Sequence, residues 1–358
     1  MKVAVLGAGN GGQAISAYLS MQGHNVSLWD RNQNIVDELI KKGGVRLEGC
    51  INGFGAINII TNNLKTAICD AQIIMIVTTA NAHGYLAVQL ADLLQEGQIV
   101  VLNPGRTGGV LEFRESLKKL NFSKKIFLAE TQTLIYACRT KETGVVNIIG
   151  IKDKVFLSAL PSKDTSYVLK KIQNLYTCFI AANNVLVTGL ENIGAVFHPS
   201  VIIFNAAAIE RGNKFYFYRE MTSAVAEFIE KLDDERLAIG KAYGIDLISA
   251  KQWVSFAYKN IKGDSLCERM QNNPAYYDIL APESIHCRQL LEDIPTGIMP
   301  LIAFGEIAGV KTQLLQSVLT IASVLLQKDF TLEGRNLTRL GLNSCRSVLD
   351  VIKIIDNS

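Results

Sequence analysis

The first thirty residues constrain the fold of this chain more than any other stretch. Lys2 to Leu6 is a short apolar run, Gly7-Ala8-Gly9-Asn10-Gly11-Gly12 follows without a break, and Gln13 to Gln22 has the pattern of a helix. A second apolar run, Val26 to Trp29, ends on Asp30, 18 positions after Gly12. Strand, glycine turn, helix, strand and acidic residue in this order open a fold that binds a dinucleotide. Gly7 permits the tight turn, Gly9 lets the backbone approach a pyrophosphate, and Gly12 lets helix and strand pack closely. The free N–H groups and positive dipole end of the helix would face the phosphates. Gly7, Gly9, Asn10, Gly11 and Gly12 are therefore the expected cofactor-binding turn. A glycine turn alone says little; the strand, helix and acid around it select this reading over a ligand-free turn.

Asp30 is placed to accept hydrogen bonds from the adenosine ribose and would repel a 2′-phosphate, which favours NAD. Arg31 follows immediately and could pair with that phosphate, so NAD and NADP both remain open. Downstream, short apolar strands alternate with helical stretches, the pattern of a parallel sheet wound on both faces. Asn34 to Lys42 reads as a helix and Val45 to Ile60 as two short strands around a turn. Ile73–Val77, Gln98–Leu102 and Ile126–Ala129 are further strands. Each runs into a polar or glycine-bearing loop: Thr78 to Asn81, Asn103 to Gly109, and Glu130 to Thr133. Ligands of open α/β sheets sit beyond the carboxyl ends of the strands, so these loops should line the cofactor site, with Thr78 and Asn103 in contact.

Val145–Ile149, Lys154–Ala159 and Cys178–Val187 read as later strands, after which helical periodicity dominates, as in Ala224 to Tyr243. The expected architecture is an α/β N-terminal Rossmann-type dinucleotide-binding domain over residues 1–184 and an all-α C-terminal substrate domain over 185–358, closely packed with a cleft between them. A chain of 358 residues is long enough for about two such cores. A net charge of +3 gives no reason to invoke nucleic acid or an anionic membrane. Seven cysteines are scattered without a Cys-x-x-Cys pair. Neither a disulfide framework nor a metal site is expected, and a reducing cytoplasm fits. No signal peptide is expected ahead of the first strand, because the fold begins at Met1 itself. Ile193 to Ile209 carries no Asp, Glu, Lys or Arg, but it is short for a span of ~20 residues and reads as a buried core helix.

A nicotinamide enzyme needs a proton donor or acceptor beside the carbon that exchanges hydride. The chain has four histidines. His24 lies in a turn, His83 opens a helix beside the Thr78 loop, and His286 sits in a loop after Pro282. His198 stands inside the charge-free segment Asn192 to Pro199, where a lone histidine is more often a satisfied core residue than a catalyst. The run Arg288-Gln289-Leu290-Leu291-Glu292-Asp293-Ile294-Pro295-Thr296-Gly297 carries acids that are ordinarily solvated near a helix end. Arg288 and Asp293, five apart, do not share a helical face. Spacing alone thus leaves both segments undecided.

Several segments together carry a family likeness: Asn103 to Gly109, Glu130 to Thr133, Ser158-Ala159-Leu160-Pro161, Asn192 to Ser200, Glu292 to Gly297, and Gly334-Arg335-Asn336-Leu337. With the glycine turn they resemble the octopine/nopaline, or opine, dehydrogenases nearly end to end. Asp-Ile-Pro-Thr-Gly and the apolar His-Pro segment are the specific parts. The resemblance implies an enzyme that joins a 2-oxo acid such as pyruvate to the amino group of an amino acid and reduces the imine with NADH or NADPH. It implies that His198 is the catalytic proton-transfer residue, that Asp293 holds and polarises it, and that Arg288 serves a substrate carboxylate. The task suits a group titrating near neutrality, as imidazole does.

Two other readings compete. One is a ketopantoate-reductase-like or glycerol-3-phosphate-dehydrogenase-like 2-oxo reductase. Those relatives carry a catalytic lysine near the start of the second domain, whereas Leu190 to Ser200 contains none. The other is a non-catalytic dinucleotide sensor, which would be expected to lack the reactive residues. Partners are thus small molecules; apolar helices such as Gln313 to Leu326 could bury an oligomer interface or the domain's own core, and a homodimer is the expectation.

Overall fold

The computed structural model describes residues 1–257 and 261–357. The chain divides into two compact units, Met1–Gly189 together with Lys353–Ser358, and Leu190–Ile352.

The first unit holds twelve strands. They are β1 (Lys2–Leu6), β2 (Asn25–Trp29), β3 (Gly44–Gly49), β4 (Gly53–Ala56), β5 (Ile59–Thr61), β6 (Ile73–Ile76), β7 (Ile99–Leu102), β8 (Phe127–Thr131), β9 (Tyr136–Glu142), β10 (Val145–Ile151), β11 (Val155–Leu160) and β12 (Phe179–Ala181). Eight of them form one sheet in the order β12-β11-β8-β7-β6-β1-β2-β5. All its pairings are parallel except β8 with β11. The register aligns the carboxyl ends: Leu6 pairs with Trp29 and with Ile76, Ile76 with Leu102, and Leu102 with Glu130. Gly7, Asp30, the Thr78 loop and Asn103 therefore emerge at one edge of the sheet. Val3, Val5, Leu28, Ile73, Met75 and Val101 are buried on the sheet, and the helix Asn10–Met21 buries Ala14, Ile15, Ala17 and Leu19. This is the uninterrupted apolar character expected of parallel strands covered on both faces.

Three expectations change. The stretch 45–60 forms three strands, not two. β3 and β4 pair antiparallel and join β10 and β9 in a second, four-stranded sheet, while β5 extends the main sheet beside β2. The second sheet lies against the helix Asn10–Met21 so closely that a Cβ on Gly55 would overlap the Ala17 backbone. Next, the stretch 178–187 is strand only over Phe179–Ala181. Asn184 Oδ1 accepts from Leu186 N–H at 3.0 Å and starts the helix Val185–Leu190, an N-cap signal that overrides the β-branched residues around it. Finally, the boundary expected at 184/185 falls at the head of this helix, five residues before the division at Gly189, and the last residues do not belong to the helical unit. Ser162 Oγ donates to Ile355 O at 3.2 Å and to Asp356 Oδ1 at 2.8 Å, and Arg114 Nη1 donates to Ile354 O at 3.4 Å. These bonds secure the C-terminal turn to the first unit.

The second unit is helical. Its main helices are Gly194–Phe204, Ser223–Ala242, Met299–Ala308 and Gln313–Leu326, which bury Val196, Val201, Ile229, Leu232, Leu301, Phe304, Leu315 and Val318. Val185–Phe204 is long and apolar enough to cross a membrane by composition, with mean hydropathy 1.3, but 72% of that window is buried. The helix is broken at residues 191–193.

Candidate active site

The glycine turn is built by steric exclusion. Gly7 has φ +109°, and a Cβ there would sit 3.0 Å from both the Val77 carbonyl oxygen and Thr78 Cγ2. A Cβ on Gly12 would overlap the Gly7 carbonyl oxygen outright, and one on Gly11 would lie 2.8 Å from Leu134 Cδ2. Gly9 differs: nothing lies within 4 Å of its Cβ position. Gly7, Gly11 and Gly12 are thus required by the protein's own packing, whereas Gly9 leaves room at the helix N-terminus for a ligand's phosphates.

Asp30 closes the turn. Its Oδ2 accepts from Ala8 N–H at 2.7 Å and its Oδ1 from Asn32 N–H at 2.9 Å. Gln13, which the sequence did not single out, secures the turn from below. Its side chain is buried, donates to Ala8 O at 2.7 Å, and accepts from Gly144 N–H at 2.7 Å. Asn10 also turns toward the protein, its Oδ1 accepting from Thr140 N–H at 3.1 Å. Its side chain therefore braces the second sheet, and only its backbone faces the turn. Arg31 is exposed.

At the neighbouring strand ends, Asn103 Nδ2 donates to Val101 O at 2.9 Å. Its Oδ1, and Thr78 Oγ1, are buried with no hydrogen-bond partner among the described residues. Buried polar atoms left unsatisfied are costly. Two of them at the same strand ends as the glycine turn fit a dinucleotide. Glu130 and Thr131, expected in a loop, are the last residues of β8, and Glu130 is fully buried. Its Oε2 accepts from Val110 N–H at 3.0 Å and its Oε1 from Thr188 Oγ1 at 2.7 Å. Thr107 Oγ1 donates to Gly189 O at 2.9 Å. These bonds fix the loop Asn103 to Gly109, and a Cβ on Gly105 would overlap Glu130 Oε2.

The second constellation lies in the helical unit. His198 stands on the helix Gly194–Phe204, one residue before Pro199. Its Nδ1 is 2.6 Å from Oδ2 of Asp293, 95 residues away in sequence. The Asp293 side chain is 0% exposed and that of His198 21%. Where the carboxylate accepts the Nδ1–H, the tautomer is set and Nε2 is the atom left to exchange a proton. The Phe217 ring lies 6.3 Å from the imidazole, centroid to centroid.

The residues around Asp293 explain how the pair forms. Asp293 heads a π-helical turn, Ile294–Ile298, between the helices Arg288–Leu291 and Met299–Ala308. Such single wide turns are frequent at functional sites. Pro295 removes one N–H from the ladder, Thr296 Oγ1 donates to Glu292 O at 2.7 Å, and Arg335 N–H donates to Pro295 O at 2.9 Å. A Cβ on Gly297 would sit 2.6 Å from Ala195 Cβ. Gly297 and Ala195 therefore let the turn carrying Asp293 approach the helix carrying His198.

Arg288 does not join this pair. Its Nε is 2.8 Å from Glu292 Oε2, and its side chain is 58% exposed. The other histidines lie elsewhere. His83 is fully buried at the start of its helix. Burial and the Met1 ammonium, 3.3 Å from Nδ1, lower the pKa of His24. His286 is exposed.

Sequence reasoning also missed a buried ion pair. Arg236 is fully buried, with Nε donating to Asp233 Oδ1 at 2.7 Å, Nη1 to Leu190 O at 2.9 Å and Nη2 to Ile248 O at 2.7 Å. Asp233 Oδ2 accepts from Ala250 N–H at 2.6 Å. Burial pushes the Glu191 carboxyl up in pKa, against the pull of Arg236. This network anchors the backbone just before the His198 segment. In sequence, its charges look like the solvated face of the helix Ser223–Ala242.

Comparison with known proteins places these features. Residues 181–326 match the family described as NAD/NADP octopine/nopaline dehydrogenase, alpha-helical domain. Residues 2–117 match the NAD-dependent glycerol-3-phosphate dehydrogenase N-terminus. An opine dehydrogenase of Arthrobacter sp. (strain 1C) is 37% identical over 345 residues, covering 95% of each chain. The chain belongs to the opine dehydrogenase family. A vitopine synthase of Allorhizobium ampelinum is 25% identical over 357 residues, again covering 95% of each chain. An octopine dehydrogenase structure with NADH and L-arginine shares the fold, with TM-score 0.82 at 21% identity over 100% of this chain and 98% of the other. As an opine dehydrogenase, the chain is an NAD(P)-dependent oxidoreductase acting on CH–NH, which reductively condenses a 2-oxo acid with the amino group of an amino acid. The two halves thus match models from different dehydrogenase families, and the helical half matches that of the octopine/nopaline dehydrogenases.

Proposed function

We propose that His198 is the general acid and base of this condensation, that Asp293 positions it, that Arg288 receives the 2-oxo-acid carboxylate, and that NADH is the preferred donor. The observation that carries the reading is the 2.6 Å contact between His198 Nδ1 and the buried Asp293 carboxylate. A buried carboxylate fixes the imidazole's orientation and tautomer, and leaves Nε2 of a partly exposed side chain for chemistry.

Arg288 spends its Nε on Glu292, which steadies the guanidinium and leaves the terminal nitrogens for a bidentate carboxylate. In its imidazolium form His198 donates Nε2–H to the oxo-acid carbonyl oxygen and polarises the carbon for attack by the free amine. The oxygen takes that proton as the amine adds; the imidazole then carries a proton from the attacking nitrogen to the resulting hydroxyl, which leaves as water and gives the protonated imine. When bound, the nicotinamide supplies the hydride that reduces the imine carbon. Asp293 stabilises the transient positive charge on the imidazole while His198 holds the extra proton.

The preference for NADH rests on Asp30. Its carboxylate is held by two backbone N–H groups at the end of β2, where it suits a ribose 2′-hydroxyl and opposes a 2′-phosphate. The seven cysteines are scattered along the chain without a Cys-x-x-Cys pair, which fits a reducing cytoplasm. The test follows oxidation of NADH and of NADPH by absorbance, with pyruvate and a panel of L-amino acids. Oxidation that requires both the oxo acid and the amine, faster with NADH, is the expected result. Oxidation with the oxo acid alone would overturn the imine mechanism, and a preference for NADPH would overturn the role given to Asp30.

A further inference from the structure

The segment that carries Phe217 also carries a guanidinium in a distinctive setting. Phe217 N–H donates to Ile279 O at 2.8 Å, and Ala281 N–H donates to Phe215 O at 2.9 Å. They close an antiparallel bridge between Tyr216 and Leu280. The pairing stacks Tyr218 on Tyr276, with ring centroids 4.4 Å apart. It also places the Arg219 guanidinium over two further rings, with Cζ 3.5 Å from the centroid of Tyr216 and 4.2 Å from that of Tyr277. The neighbouring acid, Glu220, is used elsewhere: its Oε2 accepts from Tyr216 N–H at 2.5 Å. Among the described residues Arg219 has no ion pair and no side-chain hydrogen bond.

Two tyrosine rings therefore hold the faces of a planar cation whose in-plane N–H donors are unspent. A guanidinium so placed binds a planar anion through two parallel N–H···O bonds. The stack also fixes a side chain that would otherwise lose rotamer freedom on binding. Both substrates of the condensation bear a carboxylate. Arg288 already faces Glu292 at 2.8 Å, whereas Arg219 is in no ion pair among the described residues. Phe217, two residues from Arg219, lies against His198, so this segment belongs to the surroundings of the imidazole.

The geometry points to Arg219 as the group that docks the carboxylate of the amino-acid substrate, with Tyr216 and Tyr277 holding its guanidinium in place. The assignment rests on the reaction and on the role given to His198 above. It makes Arg219 a specificity-determining residue, one that selects amino acids over the corresponding amines. It takes no part in proton transfer.

The test is steady-state kinetics with pyruvate and NADH, using L-phenylalanine and L-arginine beside their decarboxylated partners phenethylamine and agmatine. Arg219→Met is expected to raise the KM of the amino acid between about tenfold and a hundredfold, the worth of a lost charge-assisted pair. The kcat and the KM for pyruvate and NADH should stay within about twofold, and the preference for the acid over its amine should vanish. Arg219→Lys keeps the charge but not the fork, and should fall between the two. Tyr277→Leu removes one stacking face and should shift the same KM in the same direction by less, which keeps the test valid should Arg219→Met fold poorly. An unchanged amino-acid KM in Arg219→Met, or an equal loss for acid and amine, would overturn the assignment. Failure of the unsubstituted enzyme to oxidise NADH with any amine would overturn the underlying reaction, and this assignment with it.

Discussion

The glycine turn of the first unit and the His198–Asp293 pair of the second are made by opposite means. The turn works with backbone: Gly7, Gly11 and Gly12 are places where the protein itself excludes a Cβ, and Gly9 is where it leaves space. All of its parts lie within about thirty residues, because a strand, a turn and a helix are local objects. The pair works with side chains, and its two members come from helices 95 residues apart. They meet only because a π-helical turn, a proline and a glycine–alanine contact allow it. A site made of backbone can be read from residue types at fixed spacing. A site made of side chains depends on how elements pack, which spacing does not encode.

That contrast can be broken by experiment. His198→Ala should lower kcat by about 10²–10⁴, the range of general acid–base catalysis, while the Kd for NADH by fluorescence titration stays nearly unchanged. Asp293→Asn should cost about a hundredfold or more in kcat through the wrong tautomer, again sparing NADH. Parallel loss of cofactor binding in either variant would mean that the helical pair holds the cofactor as well, and the division of labour would fail.

Gly297→Ala inserts a methyl group 2.6 Å from Ala195 Cβ. It should cost about 1–3 kcal/mol by overpacking and lower kcat as the helix bearing His198 is pushed away, with NADH binding intact. In the turn, Gly12→Ala and Gly9→Ala should behave differently although both are motif glycines. The former strikes the Gly7 carbonyl and should lower Tm along with NADH affinity. The latter meets nothing and should leave Tm unchanged while weakening NADH by roughly tenfold, the worth of a charge-assisted hydrogen bond. Equal melting temperatures for the two variants would contradict the packing argument.

The smallest effect concerns Lys152, whose Nζ donates to Leu134 O at 2.6 Å beneath the turn. Burial, helped by the charge of Arg106, lowers its pKa to about 8. The folded chain gives up this proton near pH 8, whereas the unfolded chain keeps it to about 10.4. The unfolded state therefore binds more protons in that window, and stability rises with pH across it. Measured by urea unfolding, the stability of the unsubstituted chain relative to Lys152→Met should climb between about pH 8 and 10.4. A flat difference would place the Lys152 titration outside that range.

Some features were legible in the sequence without help. The glycine turn, β1, β2 and the ends of β6 and β7 lie where residue type and period put them, because the close approach of Gly12 to Gly7 and the burial of parallel strands act over a few residues. The His-Pro and Asp-Ile-Pro-Thr-Gly segments stood out by family likeness, but their spacing gave no physical reason to join them. Gln13 looked like one polar residue in a helix, and Arg236 with Asp233 like part of a solvated face. In each case burial was the missing fact, and burial belongs to the packed molecule.

By itself the sequence determined that the chain binds a dinucleotide and covers a parallel sheet with helices, since both follow from local sterics and hydrophobic period. Tertiary structure alone decided that β3, β4, β9 and β10 form a sheet of their own, that the C-terminal residues return to the first unit, and that Arg219 lies between two tyrosines. It also decided that Asp293 reaches His198. Those are contacts between residues far apart in the chain, and their free energy comes from packing and desolvation that no short window contains.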